Sequence, residues 1–228
     1  MRYGIYFIPG PGPLRDLAAS WLGYDIVRGM TVRRSETMME LLPNLDALTD
    51  APRRYGLHAT LKAPFRLAQG STPIQLLQAL AHLCYRLQPM TLSGLAVMEM
   101  DNFFCLVPVG DMSELNCMAA TLVRDLDRFR APLDDRELQR RMAGNLSMQE
   151  QAHLRQWGYP YVMENFRFHI SLTGPVADAV EKEEIRKLLQ VYLSPACQQP
   201  LQIDALCLVR EPEAGAAFEL VQRFEFRA

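Results

Sequence analysis

Two short motifs of the same type stand far apart in the chain. Each places a histidine two residues before a hydroxyl side chain: His58 with Thr60, and His169 with Ser171. Histidine has an ordinary pKa of about 6.5, so near neutral pH one ring can accept a proton while another donates one. Hydroxyl groups donate hydrogen bonds to the non-bridging oxygens of a phosphate. The four side chains therefore predict acid–base chemistry on a phosphate ester.

The spacing inside each motif is that of a β-strand, where alternate side chains point to the same face. Two polar rows result: His58, Thr60 and Lys62 on the first strand, and Arg167, His169 and Ser171 on the second. The residues between them are apolar and are expected to pack into a core. The cation at the end of either row can stabilise phosphate charge. Without a metal, this set suits the opening of a phosphodiester, especially a strained cyclic one. One histidine removes a proton from water and the other protonates the departing alkoxide.

An internal repeat links the two motifs. Residues 57–64 align with residues 168–175 at an offset of 111, through the pattern apolar-His-x-[Ser/Thr]-Leu-x-small-Pro. The same offset aligns residues 89–92 with residues 200–203. We therefore expect an internal duplication, with each half built as strand, helix, strand, strand and the two polar rows facing a common cleft.

We predict a single bilobal domain over residues 1–228, with an insert at about 131–165 that has no counterpart in the repeat. Hydrophobic and turn patterns place the remaining elements. Strands are expected at 2–8, in a pair across 91–109, at 166–173 and in a closing hairpin of 201–210 with 218–226. Helices are expected at 13–22, 36–42, 74–88, 115–129, from Ser147 to Gly158, and at 181–193. The fold class is therefore α+β.

The composition is that of an ordinary globular protein, with 49% hydrophobic and 22% charged residues. The formal net charge of −2 disfavours generic capture of nucleic acid. No apolar run approaches the length of a membrane helix, and five cysteines without a C-x-x-C pair do not suggest a disulfide framework. We expect a cytoplasmic protein without a secretory signal.

Other catalytic signatures are missing from the sequence. There is no H-E-x-x-H, no G-x-S-x-G and no G-x-x-x-x-G-K-[ST], and acidic residues do not flank either histidine motif. We therefore expect neither a metal site nor a cofactor. The two further histidines, His82 and His153, lie in predicted helices and are expected to have no part in the chemistry.

The paired motifs resemble those of the two-histidine (2H) phosphoesterase superfamily. Longer strings resemble a largely uncharacterised bacterial branch of it, encoded beside genes for phosphonate utilisation by carbon–phosphorus lyase; they lie at residues 2–7, 21–25, 53–67, 157–162 and 166–173. The resemblance implies two antiparallel sheets lining a central cleft, with helices outside, and metal-independent cyclic phosphodiesterase chemistry. It carries over the catalytic residues His58, Thr60, His169 and Ser171. It also suggests ribose 1,2-cyclic phosphate, an intermediate of phosphonate catabolism, as a substrate.

Several other residues are candidates for substrate contact. Lys62 and Arg167 share faces with the histidines, and Arg54 does so if the first strand begins that early. Tyr161 and its neighbour Tyr159 follow a turn before the second motif and are candidates for stacking on a base or sugar, or for packing at the rim. Tyr6, on the first predicted strand, has the same two interpretations.

Two other functions stay open at this point. One is a phosphodiesterase acting on the 2′,3′-cyclic end of an RNA, which the near-neutral charge mildly disfavours. The other is a non-catalytic sensor of a phosphate ligand, which the intact histidines and hydroxyls disfavour. The partner is expected to be a small phosphate ester, with no membrane involved.

Overall fold

A computed structural model describes residues 1–227, so residue 228, the end of the predicted domain, lies outside it. The strands are β1 (Arg2–Phe7), β2 (Tyr24–Asp25), β3 (Met30–Thr31), β4 (Ala59–Phe65), β5 (Met90–Leu92), β6 (Gly94–Met100), β7 (Phe103–Val109), β8 (Ile170–Ser171), β9 (Leu201–Ile203), β10 (Ala205–Glu211) and β11 (Glu219–Glu225). The helices are α1 (Pro13–Leu22), α2 (Glu36–Leu41), α3 (Leu45–Arg53), α4 (Pro73–Cys84), α5 (Ser113–Asp125), α6 (Asp135–Met142), α7 (Met148–Trp157) and α8 (Ala179–Cys197). No helix within the described residues has both the length and the apolar character needed to span a bilayer.

The main sheet has seven strands in the order β11-β10-β1-β4-β8-β7-β6, and every pairing is antiparallel. It consists of a four-stranded sheet and a three-stranded sheet that meet at one seam. At the seam β4 and β8 pair only through Ala59 and Ile170. The predicted α+β class with antiparallel sheets is confirmed, and the two sheets prove to be joined at this one residue pair.

The 111-residue offset reappears in the structure. Strands β5 and β6 have the same bounds as β9 and β10 after the shift. Two antiparallel pairs join a residue to its own repeat equivalent: Ala59 with Ile170, and Thr91 with Gln202. A residue can pair with its own equivalent only where a two-fold axis passes between them. The two pairs therefore mark an internal pseudo-two-fold axis through the seam.

The two repeats interlock. The first repeat gives β4 to the four-stranded sheet and β6 and β7 to the three-stranded one. The second gives β8 to the three-stranded sheet and β10 and β11 to the four-stranded one. Each sheet therefore needs strands from both repeats, and the histidine strands lie side by side at the centre.

Helices α1 to α5 and α8 bury the larger core against one face of this sheet. Apolar side chains of both motif strands belong to it, including Leu57, Ala59, Leu61, Phe168 and Ile170. Alternation along a strand then turns the histidines towards the other face. A smaller buried cluster lies on that side; it contains Tyr6, Ile8, Tyr24, Ile26, Cys207, Val209 and Phe218.

Several element bounds differ from the sequence predictions. The predicted helix 115–129 ends at Asp125 and continues as a 3-10 turn at Asp127–Phe129. The predicted strand 166–173 is reduced to Ile170–Ser171 because only these residues find ladder partners, on β4 and β7. The capping box at Ser147 and the helix end at Gly158 (φ 74°) agree with the prediction.

Candidate active site

A cavity of about 330 Å³ opens at the seam between the two sheets. His58, Thr60, His169 and Ser171 all line it, although the motifs are 111 residues apart. Its other lining residues are Tyr6, Ala51, Pro52, Tyr55, Ala63, Pro64, Phe103, Tyr159, Thr173, Gly174 and Pro175. The structure thus brings the four residues proposed as catalytic into one site.

The strand register explains this convergence. Ala59 lies opposite Ile170 in an antiparallel pair. One residue further along each strand, the register sets His58 opposite Ser171, and Thr60 opposite His169. Residues directly opposite each other in an antiparallel pair point to the same side of the sheet. Each histidine therefore lies beside the hydroxyl of the other motif, and all four side chains face the cavity.

Both histidines are held by the same backbone contact. His58 Nδ1 lies 2.9 Å from the carbonyl oxygen of Gly56, and His169 Nδ1 lies 2.8 Å from that of Arg167. A carbonyl oxygen can only accept, so Nδ1 is the donor in both rings and carries a proton. In each neutral ring the nitrogen left for chemistry is Nε2. His58 Nε2 accepts a hydrogen bond from the Thr60 hydroxyl at 3.1 Å.

Aromatic rings enclose His58. Tyr6 stacks on its imidazole at a centroid distance of 4.0 Å, and Tyr55 lies on it at 5.7 Å. Burial lowers the pKa of His58 to about 4; the Gly56 carbonyl raises it, and the nearby charge of His169 lowers it further. His58 is therefore neutral at pH 7.

His169 has different neighbours. Phe103 flanks its ring at a centroid distance of 5.9 Å, tilted by 57°. Its Nδ1–H donates to the carbonyl of Arg167, a residue that is itself exposed. The two imidazoles thus share one backbone contact and differ in the aromatic rings beside them.

The expectation that Lys62 shares the face of His58 and Thr60 is wrong. Tyr6 pairs with Thr60 and Ile5 with Lys62, so β4 carries one extra residue, Leu61, at this point. Such a β-bulge breaks the alternation and turns the next side chain to the opposite face. Lys62 is 3% exposed, and its ammonium binds the Val123 carbonyl at 3.1 Å and Asp127 at 3.2 Å.

Three other candidates lie outside the cavity lining. Arg54 binds Glu211 at 2.9 Å and lines a neighbouring pocket. Arg167 is exposed, and it is its carbonyl oxygen that contributes to the site, by holding His169. Tyr161 is 44% exposed and packs edge-on against Tyr159, which lines the cavity in its place. Tyr6 does line the cavity, and its side chain is fully buried.

Sequence reasoning missed two of the aromatic residues at the site. Tyr55 and Phe103 each stand beside a histidine ring, but neither belongs to a motif. Tyr55 lies three residues before His58 and inside the 53–67 string that carries the family resemblance, and these two features are the signals that could identify it. For metal binding, residues 1–227 contain no group of three or more His, Cys, Asp or Glu side chains placed to share an ion.

Solved structures with similar coordinates include E. coli LigT complexed with 3′-AMP. That chain matches with a TM-score of 0.47 and 13% sequence identity, over 100% of this chain and 98% of the other. The protein TT0787 of Thermus thermophilus matches with a TM-score of 0.44 and 15% identity, over 100% and 99%.

Curated relatives give a clearer relationship. A protein of Janthinobacterium sp. (strain Marseille) named "Ribose 1,5-bisphosphate phosphokinase PhnN" is 37% identical over 99% of this chain and 51% of its own length. One of the same name from Laribacter hongkongensis (strain HLHK9) is 34% identical over 96% and 50%. The chain thus spans about half the length of these relatives. A family model described as "Protein of unknown function (DUF1045)" matches residues 60–219, and the chain belongs to this family.

Proposed function

We propose that this protein is a metal-independent phosphoesterase that opens a cyclic phosphodiester of a small sugar or nucleotide phosphate. The observation that carries the proposal is the pairing of two His-x-[Ser/Thr] motifs across the seam, with all four side chains facing one cavity. A base, an acid and two hydroxyl donors around one small cavity suit phosphoryl chemistry that needs only proton transfer and charge stabilisation.

His58 is assigned as the base. Its enclosed ring is neutral at pH 7, and its protonated Nδ1 leaves Nε2 free to accept a proton from water. A phosphate anion in the cavity opposes the effect of burial, because negative charge favours the imidazolium. Bound substrate therefore raises the proton affinity of His58 when it acts. Thr60 releases Nε2 and donates its hydroxyl proton to a non-bridging oxygen.

His169 is assigned as the acid. The oxygen of the attacking water forms a bond to phosphorus, and the ring P–O bond breaks. The water proton moves to His58, while the imidazolium of His169 gives a proton to the departing alkoxide. Ser171 donates to a second non-bridging oxygen. The product is a phosphomonoester, and exchange with solvent returns both rings to their starting states.

Ribose 1,2-cyclic phosphate is the substrate we propose within this class. Opening of its ring at the O2 side leaves a phosphate on C1, as in the ribose 1,5-bisphosphate for which the relatives are named. The cavity volume of about 330 Å³ is at the lower end of small-molecule sites, which suits one sugar ring.

The test is turnover of a panel of cyclic phosphates followed by ³¹P NMR: ribose 1,2-cyclic phosphate, 2′,3′-cyclic nucleotides and an RNA with a 2′,3′-cyclic end. We expect the sugar or mononucleotide esters to be opened, with no loss of rate after exhaustive treatment with EDTA. Faster cleavage of the RNA than of the small esters would identify the cyclic end of RNA as the substrate instead. Binding of these esters without turnover of any would instead support a sensor.

A matched control comes from a histidine outside the cleft. His82 is exposed on α4, so His82→Ala should retain the wild-type rate. His58→Ala and His169→Ala should not. Equal rates in all three variants, with the fold intact, would show that the two histidine motifs are not catalytic.

A further inference from the structure

A second pocket of about 500 Å³ lies beside the candidate active site. Its charged lining residues are Arg2, Arg54, Arg66, Asp134, Arg136, Glu137, Arg140 and Glu211, and we name it the arginine pocket. Five guanidinium groups face three carboxylates there, an excess of two positive charges in a chain whose net charge is −2. Such a local excess favours an anionic ligand.

One buried carboxylate fixes two of these arginines. Glu211 is 1% exposed, and it accepts from Arg2 Nε at 2.5 Å, from Arg2 Nη2 at 3.0 Å and from Arg54 Nη2 at 2.9 Å. A single negative charge therefore holds two positive ones, and the three groups together keep a net charge of +1. Fixed guanidinium groups lose little entropy when they bind a phosphate.

Strand β1 connects the arginine pocket to the histidine cavity. Arg2, Gly4 and Tyr6 alternate along it and share one face. A Cβ atom on Gly4 would lie 3.0 Å from Tyr6 Cε1, so the Tyr6 ring lies back over the glycine in the direction of Arg2. Because Gly4 has no side chain, the Tyr6 ring can lie over it, between the histidine cavity and the arginine pocket.

The hydroxyl of Tyr6 has no hydrogen-bond partner within the described residues, although the side chain is 0% exposed. Buried polar groups in native proteins nearly always have a partner, so this hydroxyl marks a place where a ligand or a water molecule can bind. Burial raises the pKa of Tyr6 well above its ordinary value, and the charges that act on its hydroxyl include those of Arg2, Tyr55 and Tyr159. The hydroxyl is therefore protonated and can donate a hydrogen bond to an anion.

The insert supplies the opposite wall. Tyr159, Ala63 and Pro64 line both the histidine cavity and a narrow cavity that Arg2 and Arg66 also line. The insert also gives Arg136 and Arg140 to the arginine pocket. The narrow cavity therefore adjoins both sites, because it shares Tyr159 with the histidine cavity and Arg2 and Arg66 with the arginine pocket.

We propose that the Tyr6 hydroxyl and the arginine pocket form a second anion subsite, which binds a phosphomonoester on the same substrate whose cyclic phosphodiester is opened by the histidines. This inference rests on the proposed function and deepens it, since it makes the substrate a sugar with two phosphates. The Tyr6 ring bridges the two sites, since it stacks on His58 at a centroid distance of 4.0 Å and lies over Gly4 in the direction of Arg2. Asp134 and Glu137 pair with Arg66, so the excess charge of the arginine pocket is small and suits one phosphate better than a polyanion such as RNA.

The test compares two esters that differ only in the second phosphate: ribose 1,2-cyclic phosphate with and without a phosphate on O5. We expect the wild type to have a kcat/KM about 10–100-fold higher for the phosphorylated ester, mostly through KM, as charge-assisted hydrogen bonds imply. Arg2→Gln should remove most of this preference. Tyr6→Phe should reduce it without loss of stability, because the removed hydroxyl has no partner in the free protein.

Arg210 provides the matched control, since it is on β10 beside Glu211 and pairs with the exposed Glu219. Arg210→Gln should keep the wild-type preference. If Arg2→Gln does not fold, Tyr6→Phe still decides the result. Equal kcat/KM for the two esters in the wild type overturns the second subsite and leaves the proposed function standing. No turnover of either ester overturns the proposed function, and the subsite with it.

Discussion

The two histidine strands have the same origin in sequence and different surroundings in space. His58 and His169 occupy equivalent positions at an offset of 111 residues, and each donates Nδ1–H to the carbonyl two residues earlier. Tyr6 and Tyr55 flank the first ring, whereas Phe103 flanks the second. A duplication supplies two like groups, and burial among its own neighbours then lowers the pKa of His58.

The asymmetry has a structural source. The four-stranded sheet includes β1, which has no counterpart at the 111-residue offset and brings Tyr6 against His58. The three-stranded sheet places β7 in the corresponding position beside β8. These unequal neighbours around a pseudo-two-fold axis are the reason that we assign His58 as the base and His169 as the acid.

The largest expected effect comes from removal of either ring. His58→Ala and His169→Ala should each lower kcat by about 10²–10⁴-fold, the span usual for general acid–base groups. Because the proposed mechanism uses both rings in one proton relay, the double variant should lose much less than the product of the two single effects. Steady-state kinetics on the best substrate of the panel measures this. Fully multiplicative losses would show that the two histidines work independently.

The hydroxyls should matter less than the rings. Thr60→Val and Ser171→Ala each delete one hydrogen bond to a charged oxygen, with a cost of about 1–3 kcal/mol, or roughly 5–150-fold in kcat/KM. Thr60 also binds His58 Nε2 in the free protein, so its loss should change the titration of that ring as well. The conservative Ser171→Thr is the control and should keep most of the activity. Unchanged kcat/KM in both deletions would remove the hydroxyls from phosphate binding.

A third prediction concerns the enclosure of His58. Burial is the largest cause of its low pKa of about 4, so Tyr55→Ser should raise this pKa towards the ordinary value by admitting water. In the pH–rate profile, the acidic limb, where activity falls because His58 becomes protonated, should therefore move to higher pH. His169→Gln should also raise the pKa of His58, by a smaller amount, because it removes a nearby positive charge. NMR titration of the ring protons gives both shifts directly. A His58 pKa unaffected by both changes would contradict the enclosure and the shared cavity.

The sequence predicts the four residues at the centre of the candidate site better than it predicts the residues around them. The motif strands, the offset and the convergence of four side chains follow from residue type, spacing and strand alternation. Arg54 could not be placed, because its partner Glu211 lies 157 residues away in sequence. Tyr159, and not Tyr161, lines the cavity. This difference depends on how the insert packs against the sheet, and no sequence periodicity predicts it. Such details depend on long-range contacts, which a local pattern does not contain.

Lys62 gives the smallest expected effect on catalysis and tests the bulge in β4. The ammonium faces Asp127 and the Val123 carbonyl, away from the cavity, so Lys62→Met should leave kcat and KM within about twofold of the wild type. Its stability should depend on pH instead. Burial lowers the pKa of Lys62 to about 8, below the value of 10.5 for an unfolded lysine. Between these two values the unfolded chain binds more protons than the folded one, so the wild type should gain stability as the pH rises from about 8 to 10.5. Lys62→Met should show no such gain. Denaturant unfolding at a series of pH values measures this difference. A large loss of kcat in Lys62→Met without a change in stability would show that Lys62 faces the substrate and that the bulge does not turn it away.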